Sequence, residues 1–203
     1  MLFILSGPSG CGKSTLARKT LAQLKGLEFS VSHTTRRRRK NEEDNKDYHF
    51  VTKDEFEALI KAGKMVEWAE VHGCFYGTSY KELEKKGAGF DLLLDIDVQG
   101  ARQIQGRVKK AVFIFILPPS FSELKRRLID RGENSPEEIR NRLEIAKKEI
   151  RQYPQFDYVI INENMESAIE ELKSIVISTR CMLSMRQKKI QPIIQSFSEE
   201  EAG

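Results

Sequence analysis

Gly7-Pro8-Ser9-Gly10-Cys11-Gly12-Lys13-Ser14 fits the pattern G-x-x-x-x-G-K-[ST]. The flanks match that reading. The apolar run Leu2–Leu5 precedes it as a strand, and residues 14–25 follow as a helix with Leu16, Leu21 and Leu24 near one face, stopped by Gly26. Glycines let the backbone curl so that successive N–H groups face phosphate oxygens, and the helix start adds partial positive charge. Lys13 is spaced to reach the β- and γ-phosphates, and the Ser14 hydroxyl to ligate Mg²⁺. Gly7 to Ser14, with Thr15 next in line, therefore form the expected seat for a nucleoside triphosphate.

Further along the chain, Leu92–Ile96, Val112–Leu117 and Tyr158–Ile161 are short apolar runs without strict alternation, the pattern of strands buried on both faces of a parallel sheet. Helical stretches separate them. Ser120 with Glu123, and Ser135 with Pro136 and Glu138, are capping-box signatures. Ile139, Leu143, Ala146 and Ile150 make one apolar face, which Tyr153-Pro154 ends. Ile169, Leu172, Ile175 and Val176 make another. Strand and helix alternating in this way predict an α/β, doubly wound parallel sheet of the P-loop kinase kind. Residues 30–80 break the rhythm with a basic loop, a short helix starting near Thr52–Glu55, and strand-like pieces at Met65–Val71 and Phe75–Tyr76. They read as an excursion from the core. The tail after Leu183 reads as a helix end followed by disordered residues.

Composition narrows the class. The 203 residues are 39% hydrophobic and 32% charged with a net charge of +4, which fits neither a collagen-like nor a disordered chain. The charge is uneven: residues 1–40 carry nine basic side chains against Glu28 alone, a local +8, and the remainder is −4. Something near the N-terminus is built to meet anions. Cys11, Cys74 and Cys181 cannot all pair, and His33, His49 and His72 are scattered, so neither a disulfide framework nor a zinc site is expected. Met1–Leu5 is too short for a signal peptide, and no run approaches the ~20 residues of a membrane span. A reducing cytoplasm is the expected location. An N-K-x-D motif, which a GTPase would use to read its base, is absent, and a motor would be longer. A small kinase with its second substrate in the excursion fits best.

That second substrate has a candidate site. Ser30-Val31-Ser32-His33-Thr34-Thr35-Arg36-x-x-Arg39 is followed by Lys46-Asp47-Tyr48-His49-Phe50, Val66-Glu67-Trp68-Ala69, Tyr76-Gly77-Thr78 and Leu94-Asp95-Ile96-Asp97-Val98-Gln99-Gly100. In this order the motifs, spread from residue 2 to about 180, resemble the guanylate kinase family. The chemistry is compatible. Arg36 and Arg39 offer bidentate forks for a monophosphate dianion, with Tyr48 and Tyr76 as hydroxyl donors. A carboxylate at Glu67 can accept both N1–H and the 2-amino group of guanine, a donor pair adenine lacks. Singly, each residue has a plainer role: Arg36–Lys40 as a solvated charge run or nucleic-acid patch, Glu67 as an exposed strand residue, the tyrosines as core aromatics.

The resemblance implies ATP-dependent phosphorylation of GMP and dGMP in purine nucleotide metabolism, with Mg²⁺. It divides residues 1–183 into a core (1–31 and 81–183), a GMP-binding insertion (about 32–80) and a lid (about 127–145). It puts Ser32, Arg36, Arg39, Tyr48, Glu67, Tyr76, Thr78 and Asp95 on the GMP side. Arg127, Arg131 and Arg142 belong to the lid and its flanks, Asn162 lies near the donor adenine, and Asp97 orients Mg²⁺ through water. Lys13, Arg39, Arg131 and Arg142 would neutralise and align the transferring group. The acceptor is already an anion, so no general base is assigned. Gly132 to Ser135 reads as a hinge. The expected partners are small molecules only, with neither nucleic acid nor membrane, and homo-oligomerisation is left open.

The chain departs from the family where Arg38, Lys40, Asn41 and Asn45 replace Pro and Gly positions. Losing two prolines should make this loop more mobile, and Asn tolerates the left-handed turn conformation. Cys11, inside the phosphate loop, is a candidate for a lowered thiol pKa and oxidation, or else for simple packing. Two rival readings stay open: a catalytically weak interaction domain of the guanylate-kinase-like type, and a related small kinase for another phosphorylated acceptor.

Overall fold

The computed structural model describes residues 1–40, 42–71, 73–84, 90–108, 110–132 and 135–200. Asn41, His72, the middle of the expected hinge (133–134) and the end of the tail lie outside the described residues. In chain order the elements begin with β1 (Leu2–Ser6), α1 (Lys13–Gln23), β2 (Leu27–Phe29), β3 (His33–Thr34), β4 (His49–Phe50) and α2 (Lys53–Lys61). Then come β5 (Met65–Val71), β6 (Cys74–Ser79), α3 (Tyr80–Glu84), β7 (Asp91–Asp95), α4 (Val98–Gln105) and β8 (Ala111–Leu117). The chain continues through α5 (Phe121–Asp130), α6 (Pro136–Glu149), a 3-10 turn (Ile150–Gln155), β9 (Tyr158–Ile161), α7 (Met165–Cys181) and α8 (Leu183–Glu200).

Five strands form a parallel sheet in the order β2-β7-β1-β8-β9. The continuous apolar runs are explained by burial on both faces. On one face Phe3, Leu5, Leu93, Ile114 and Ile116 pack under Leu16 of α1 and Ile169, Leu172 and Val176 of α7. On the other, Leu2, Ile4, Leu92 and Leu94 pack against Ala101 and Ile104 of α4. Alternate residues of each strand thus face opposite helix layers, and each fully buried Leu, Ile or Phe contributes roughly 1.5–3 kcal/mol. This is the doubly wound α/β fold. A third cluster, Leu124, Leu128, Leu143 and Ala146, holds α5 to α6.

Residues 33–79 build a second sheet, ordered β4-β3-β6-β5, in which β6 runs antiparallel to both neighbours. The register of β5 shifts between Met65 and Glu67, so Val66 and Glu67 are both buried although adjacent. Val66 joins the α4 side of the core, and Glu67 pairs with Thr78. A bulge re-aims a side chain in this way.

Capping follows the sequence closely. Thr52 with Glu55, and Ser135 with Glu138, form complete capping boxes. Ser120 accepts from the backbone of Glu123, but the Glu123 carboxylate accepts from Arg126 and Arg127 instead. Charged partners outcompete a backbone N–H there. Sequence periodicity does not reveal β2, β3, β4, α3 and α4, which are short. Where a helix end followed by disordered residues is expected after Leu183, helix α8 runs on to Glu200: strong helix formers such as Leu183, Met185, Arg186, Gln187 and Lys188 outweigh Pro192. Leu183, Ile193, Ile194 and Phe197 stay exposed on it. No helix among the described residues is long and apolar enough to cross a membrane.

Candidate active site

The loop between β1 and α1 opens onto a cleft of about 1340 Å³ that runs to the second sheet. Gly12 caps α1 in the left-handed region, φ 97°. A Cβ there would also strike the Asn162 amide, so glycine is required twice over. Lys13 Nζ donates to the carbonyls of Gly7 (2.6 Å) and Pro8 (3.2 Å). Burial works against its charge, yet Asp95, Glu149 and Asp97 around it, together with Cys11, hold its pKa above the usual lysine value.

Two side chains fasten the back of the loop. Asn162 Nδ2 donates to the Cys11 carbonyl at 2.7 Å. Arg127 reaches the same carbonyl at 3.3 Å and the Asn162 carbonyl at 2.8 Å. Arg142 Nη1 donates to Ser9 Oγ at 2.9 Å, and Arg131, at the end of α5, lines the cleft with them. Cys11 is fully buried in the core beneath the loop, and burial pushes its thiol up. Of the two roles the sequence allows for Cys11, burial and a raised thiol pKa favour packing over oxidation.

Across the cleft, Arg36 Nε donates to the Tyr76 hydroxyl at 3.2 Å, and the Tyr48 and Tyr76 rings meet edge-on at 5.9 Å. Burial pushes the Tyr48 hydroxyl well above its ordinary pKa, so it stays protonated and can donate a hydrogen bond. Asn45 adopts the left-handed conformation, φ 62°, as an Asn in place of Gly allows. Deeper in, Glu67 is only 2% exposed. Burial pushes its carboxyl up to about 7, with Asp97 adding to the rise and Thr78 hydrogen bonds opposing it. Its buried Oε1 has no hydrogen-bond partner among the described residues. Ser32 and Thr78 share a hydrogen bond at 3.3 Å next to it. The site thus ends in an unsatisfied buried acceptor, which calls for donors from a ligand.

The cleft gathers nearly every residue expected from sequence: Gly7, Ser9, Gly10, Gly12 to Thr15, Ser32, Arg36, Arg39, Tyr48, Glu67, Tyr76, Asp95, Asp97, Arg127, Arg131, Arg142 and Asn162 all line it. Pro8, Cys11 and Thr78 stand behind its wall. Two of these aspartates make different contacts within the protein. Ser14 Oγ donates to Asp95 Oδ2 at 2.5 Å, whereas Asp97 caps α4, accepting from the backbones of Gln99 and Gly100. Asp95 ends β7 beside β1, directly above the start of α1, and so reaches Ser14 where Asp97 does not. A hydroxyl with nearby carboxylates suits a hard cation such as Mg²⁺. Among the described residues no trio of His, Cys, Asp or Glu is grouped to hold a metal unaided, so phosphate and water oxygens would complete the shell.

Three residues escaped sequence reasoning. Glu42 lies between Arg36 and Arg39. Glu149, near the end of α6, accepts from the Ser9 backbone, and burial raises its carboxyl pKa. Gly100 abuts Glu67. The motif around Gly100 was visible, but only the fold brings it onto Glu67.

Comparison with known proteins follows the same lines. The guanylate kinase family model matches residues 1–179. A guanylate kinase from Geobacter sulfurreducens is 52% identical over 182 residues, covering 89% of this chain and 90% of the relative. One from Thermotoga maritima is 43% identical over 191 residues, 94% and 92% of the two chains. The crystal structure of guanylate kinase from Anaplasma phagocytophilum superimposes with a TM-score of 0.75 at 38% identity, covering 90% and 87%.

Proposed function

The chain belongs to the guanylate kinase family of enzymes, and we propose that it transfers the γ-phosphoryl group of ATP to GMP, and to dGMP, yielding ADP and GDP or dGDP. The observation that carries this reading is Glu67: a buried carboxylate with an unpartnered oxygen, lining the same cleft as the phosphate loop. Guanine N1–H and its 2-amino group are the adjacent donors that such a carboxylate accepts. Adenine would leave the oxygen unsatisfied, which a buried site punishes strongly.

The remaining roles follow from charge. Gly7 to Thr15 hold the triphosphate through backbone N–H groups, with Lys13 on its outer phosphates. Ser32 and Thr78 support the guanine, and Arg36, Arg39, Tyr48 and Tyr76 bind the 5′-phosphate. Arg131 and Arg142 neutralise charge on the transferring group, while Arg127 and Asn162 brace the loop near the donor base. Mg²⁺, held by Ser14 with the ATP phosphates, supplies further charge neutralisation when bound. The acceptor oxygen belongs to an anionic phosphate, so no residue has to remove a proton. Positioning the two phosphates in line and excluding water are the chain's main contributions. We place the activity in cytoplasmic purine nucleotide metabolism.

A coupled ADP-release assay with GMP, dGMP, AMP, CMP and UMP tests this. Turnover is expected with the two guanine nucleotides alone. Equal turnover with AMP would overturn the assignment of Glu67, and absence of turnover with all five would overturn the kinase reading.

A further inference from the structure

The last turn of α6 reaches into the phosphate loop. The Glu149 carboxylate accepts from the Ser9 backbone N–H, and Arg142 Nη1, from the same helix, donates to Ser9 Oγ at 2.9 Å. These two residues stand two helical turns apart on α6 and so share a face. Between them, Leu143 and Ala146 pack on Leu124 and Leu128 of α5, and Leu128 in turn lies where a Cβ on Gly10 would fall. Packing therefore fixes where Glu149 stands.

Its surroundings are unlike those of a surface glutamate. Oε2 is buried and has no hydrogen-bond partner among the described residues. Burial pushes the carboxyl up and Asp97 adds to the rise, while Lys13 and the Ser9 N–H oppose it. Asp95 and Asp97 act on the same lysine, so Lys13 lies in the field of three carboxylates within the seat of a triphosphate. Arg127, Arg131 and Arg142 line the cleft as well, but the Ser9 N–H and Lys13 are loop groups that an arriving phosphate needs, and Glu149 already acts on both. An ionised phosphate oxygen only accepts, so it cannot satisfy Oε2 and is repelled by it. Water ordered around a hard cation can donate to that oxygen.

We propose that Glu149 is a specificity-determining residue of the donor site: seated against Ser9 in the field of Lys13, its carboxylate turns away phosphates that arrive without a cation. The inference rests on the reading of the loop as the seat of the triphosphate. Backbone N–H donors, a helix start and a lysine attract any phosphate, whatever else it carries. Inorganic polyphosphate and metal-free ATP would compete for them. A fixed negative charge inside the seat penalises a bare polyanion most, and a polyphosphate already neutralised by a divalent cation least. Discrimination then comes from a built-in repulsion rather than from a tighter contact.

The test is calorimetric titration of the full chain at pH 8, comparing wild type, Glu149→Gln and Glu149→Asp. The ligands are sodium tripolyphosphate and ATP in EDTA, and ATP in excess MgCl2. Glu149→Gln keeps an oxygen for the Ser9 N–H and removes only the charge. It should bind metal-free tripolyphosphate and metal-free ATP about tenfold tighter than wild type, a fraction of what a fully buried like-charge contact costs. Its affinity for ATP with Mg²⁺ should stay within about threefold, and its melting temperature within about 2 °C. Glu149→Asp, still charged but drawn back from Ser9, should gain less, and both gains should shrink at high salt. Unchanged or weaker binding of metal-free tripolyphosphate by Glu149→Gln overturns the proposal. So does an equal gain with and without Mg²⁺, which would mean that the side chain obstructs the loop for every ligand. Loss of both forms of ATP with a depressed melting temperature would reduce Glu149 to a brace of the loop. A wild-type chain that does not bind ATP with Mg²⁺ would fail earlier, at the reading of the loop itself.

Discussion

A side-chain carbon on Gly100 would overlap Oε2 of Glu67, so the first turn of α4 packs directly against the buried carboxylate of β5. The same Gly100 donates its N–H to Asp97, which caps α4. Helix start, cap and carboxylate are thus one assembly, and the absence of a Cβ at position 100 sets where Glu67 can lie. Gly100→Ala should push the carboxylate out of line with guanine and disturb one or two hydrogen bonds, about 1–3 kcal/mol. The KM for GMP should rise about ten- to hundredfold, with the KM for ATP unchanged. Calorimetric titration with each nucleotide checks this, and an equal loss for both would reject it.

Glu67 also makes acceptor use depend on pH. With its carboxyl pushed up to about 7 by burial, only about a tenth is ionised at pH 6 and about nine-tenths at pH 8. Only the ionised form accepts both guanine donors. The kcat/KM for GMP should therefore fall about tenfold from pH 8 to pH 6. The GMP phosphate titrates near this range too, so the ratio of wild type to Glu67→Gln isolates the protein's share. A ratio that stays flat across the range would contradict the assignment.

The same carboxyl affects stability in the opposite sense. Its folded pKa lies above the ordinary value of 4.5, so the folded chain binds its proton more tightly than the unfolded chain does. Folding is penalised when the group is ionised, above pH 7, and the penalty fades as pH falls from 7 towards 4.5. Its full size is about 3 kcal/mol. Urea unfolding should show Glu67→Gln more stable than wild type at pH 8, with the two converging at pH 4.5. The carboxylate proposed to read guanine is thus held in place at some expense of stability, as strained functional sites are.

Lys13 closes over the carbonyls of Gly7 and Pro8 and is ringed by Asp95, Asp97 and Glu149. Lys13→Ala removes the cation from that ring and, on the proposed reading, from the outer phosphates of the donor. Loss of one electrostatic stabiliser lowers kcat by about 10²–10³. Binding of GMP, on the other sheet, should be unaffected in the same calorimetric titration. A variant that loses GMP affinity as much as turnover would show that Lys13 acts on the whole cleft.

Much of this was legible in the chain. Gly7 to Ser14, flanked by a strand and a helix, announces the phosphate loop because its geometry is local. Four apolar runs announce the parallel sheet because burial on both faces suppresses alternation. Ser135 and Thr52 announce helix starts for the same local reason. What escaped depends on distance: Gly100 matters because α4 crosses β5, 33 residues away in sequence, and Glu149 because the end of α6 returns to Ser9. Glu42 escaped differently. It lies only six residues from Arg36, but an acidic residue after a basic run reads as solvated surface until the turn at Arg39 folds it back. The two aspartates show the limit most clearly, since Asp95 and Asp97 are alike in type and nearly adjacent, and only strand register separates their partners.

That register leads to a test of the metal side. Leu5 pairs with Asp95 across β1 and β7, which brings Asp95 Oδ2 within 2.5 Å of Ser14 Oγ. Holding the hydroxyl proton in this direction would leave the oxygen lone pairs for the proposed Mg²⁺, and a partner that orients a metal ligand in this way is worth about 10–100-fold in metal affinity. The Asp97 carboxylate is engaged instead by the Gln99 and Gly100 N–H groups. Asp95→Asn should therefore raise the free Mg²⁺ concentration needed for half-maximal activity by about 10–100-fold. Asp97→Asn, in which an Asn still caps well, should leave that requirement nearly unchanged, and Asp97→Ala should cost about 1 kcal/mol in melting experiments through loss of the cap. Magnesium titrations of the three variants at saturating ATP and GMP separate the roles. If Asp97→Asn shifts the requirement and Asp95→Asn does not, the sequence-based assignment of Asp97 to the metal is the correct one, and the Ser14–Asp95 bond serves only to hold α1 against the sheet.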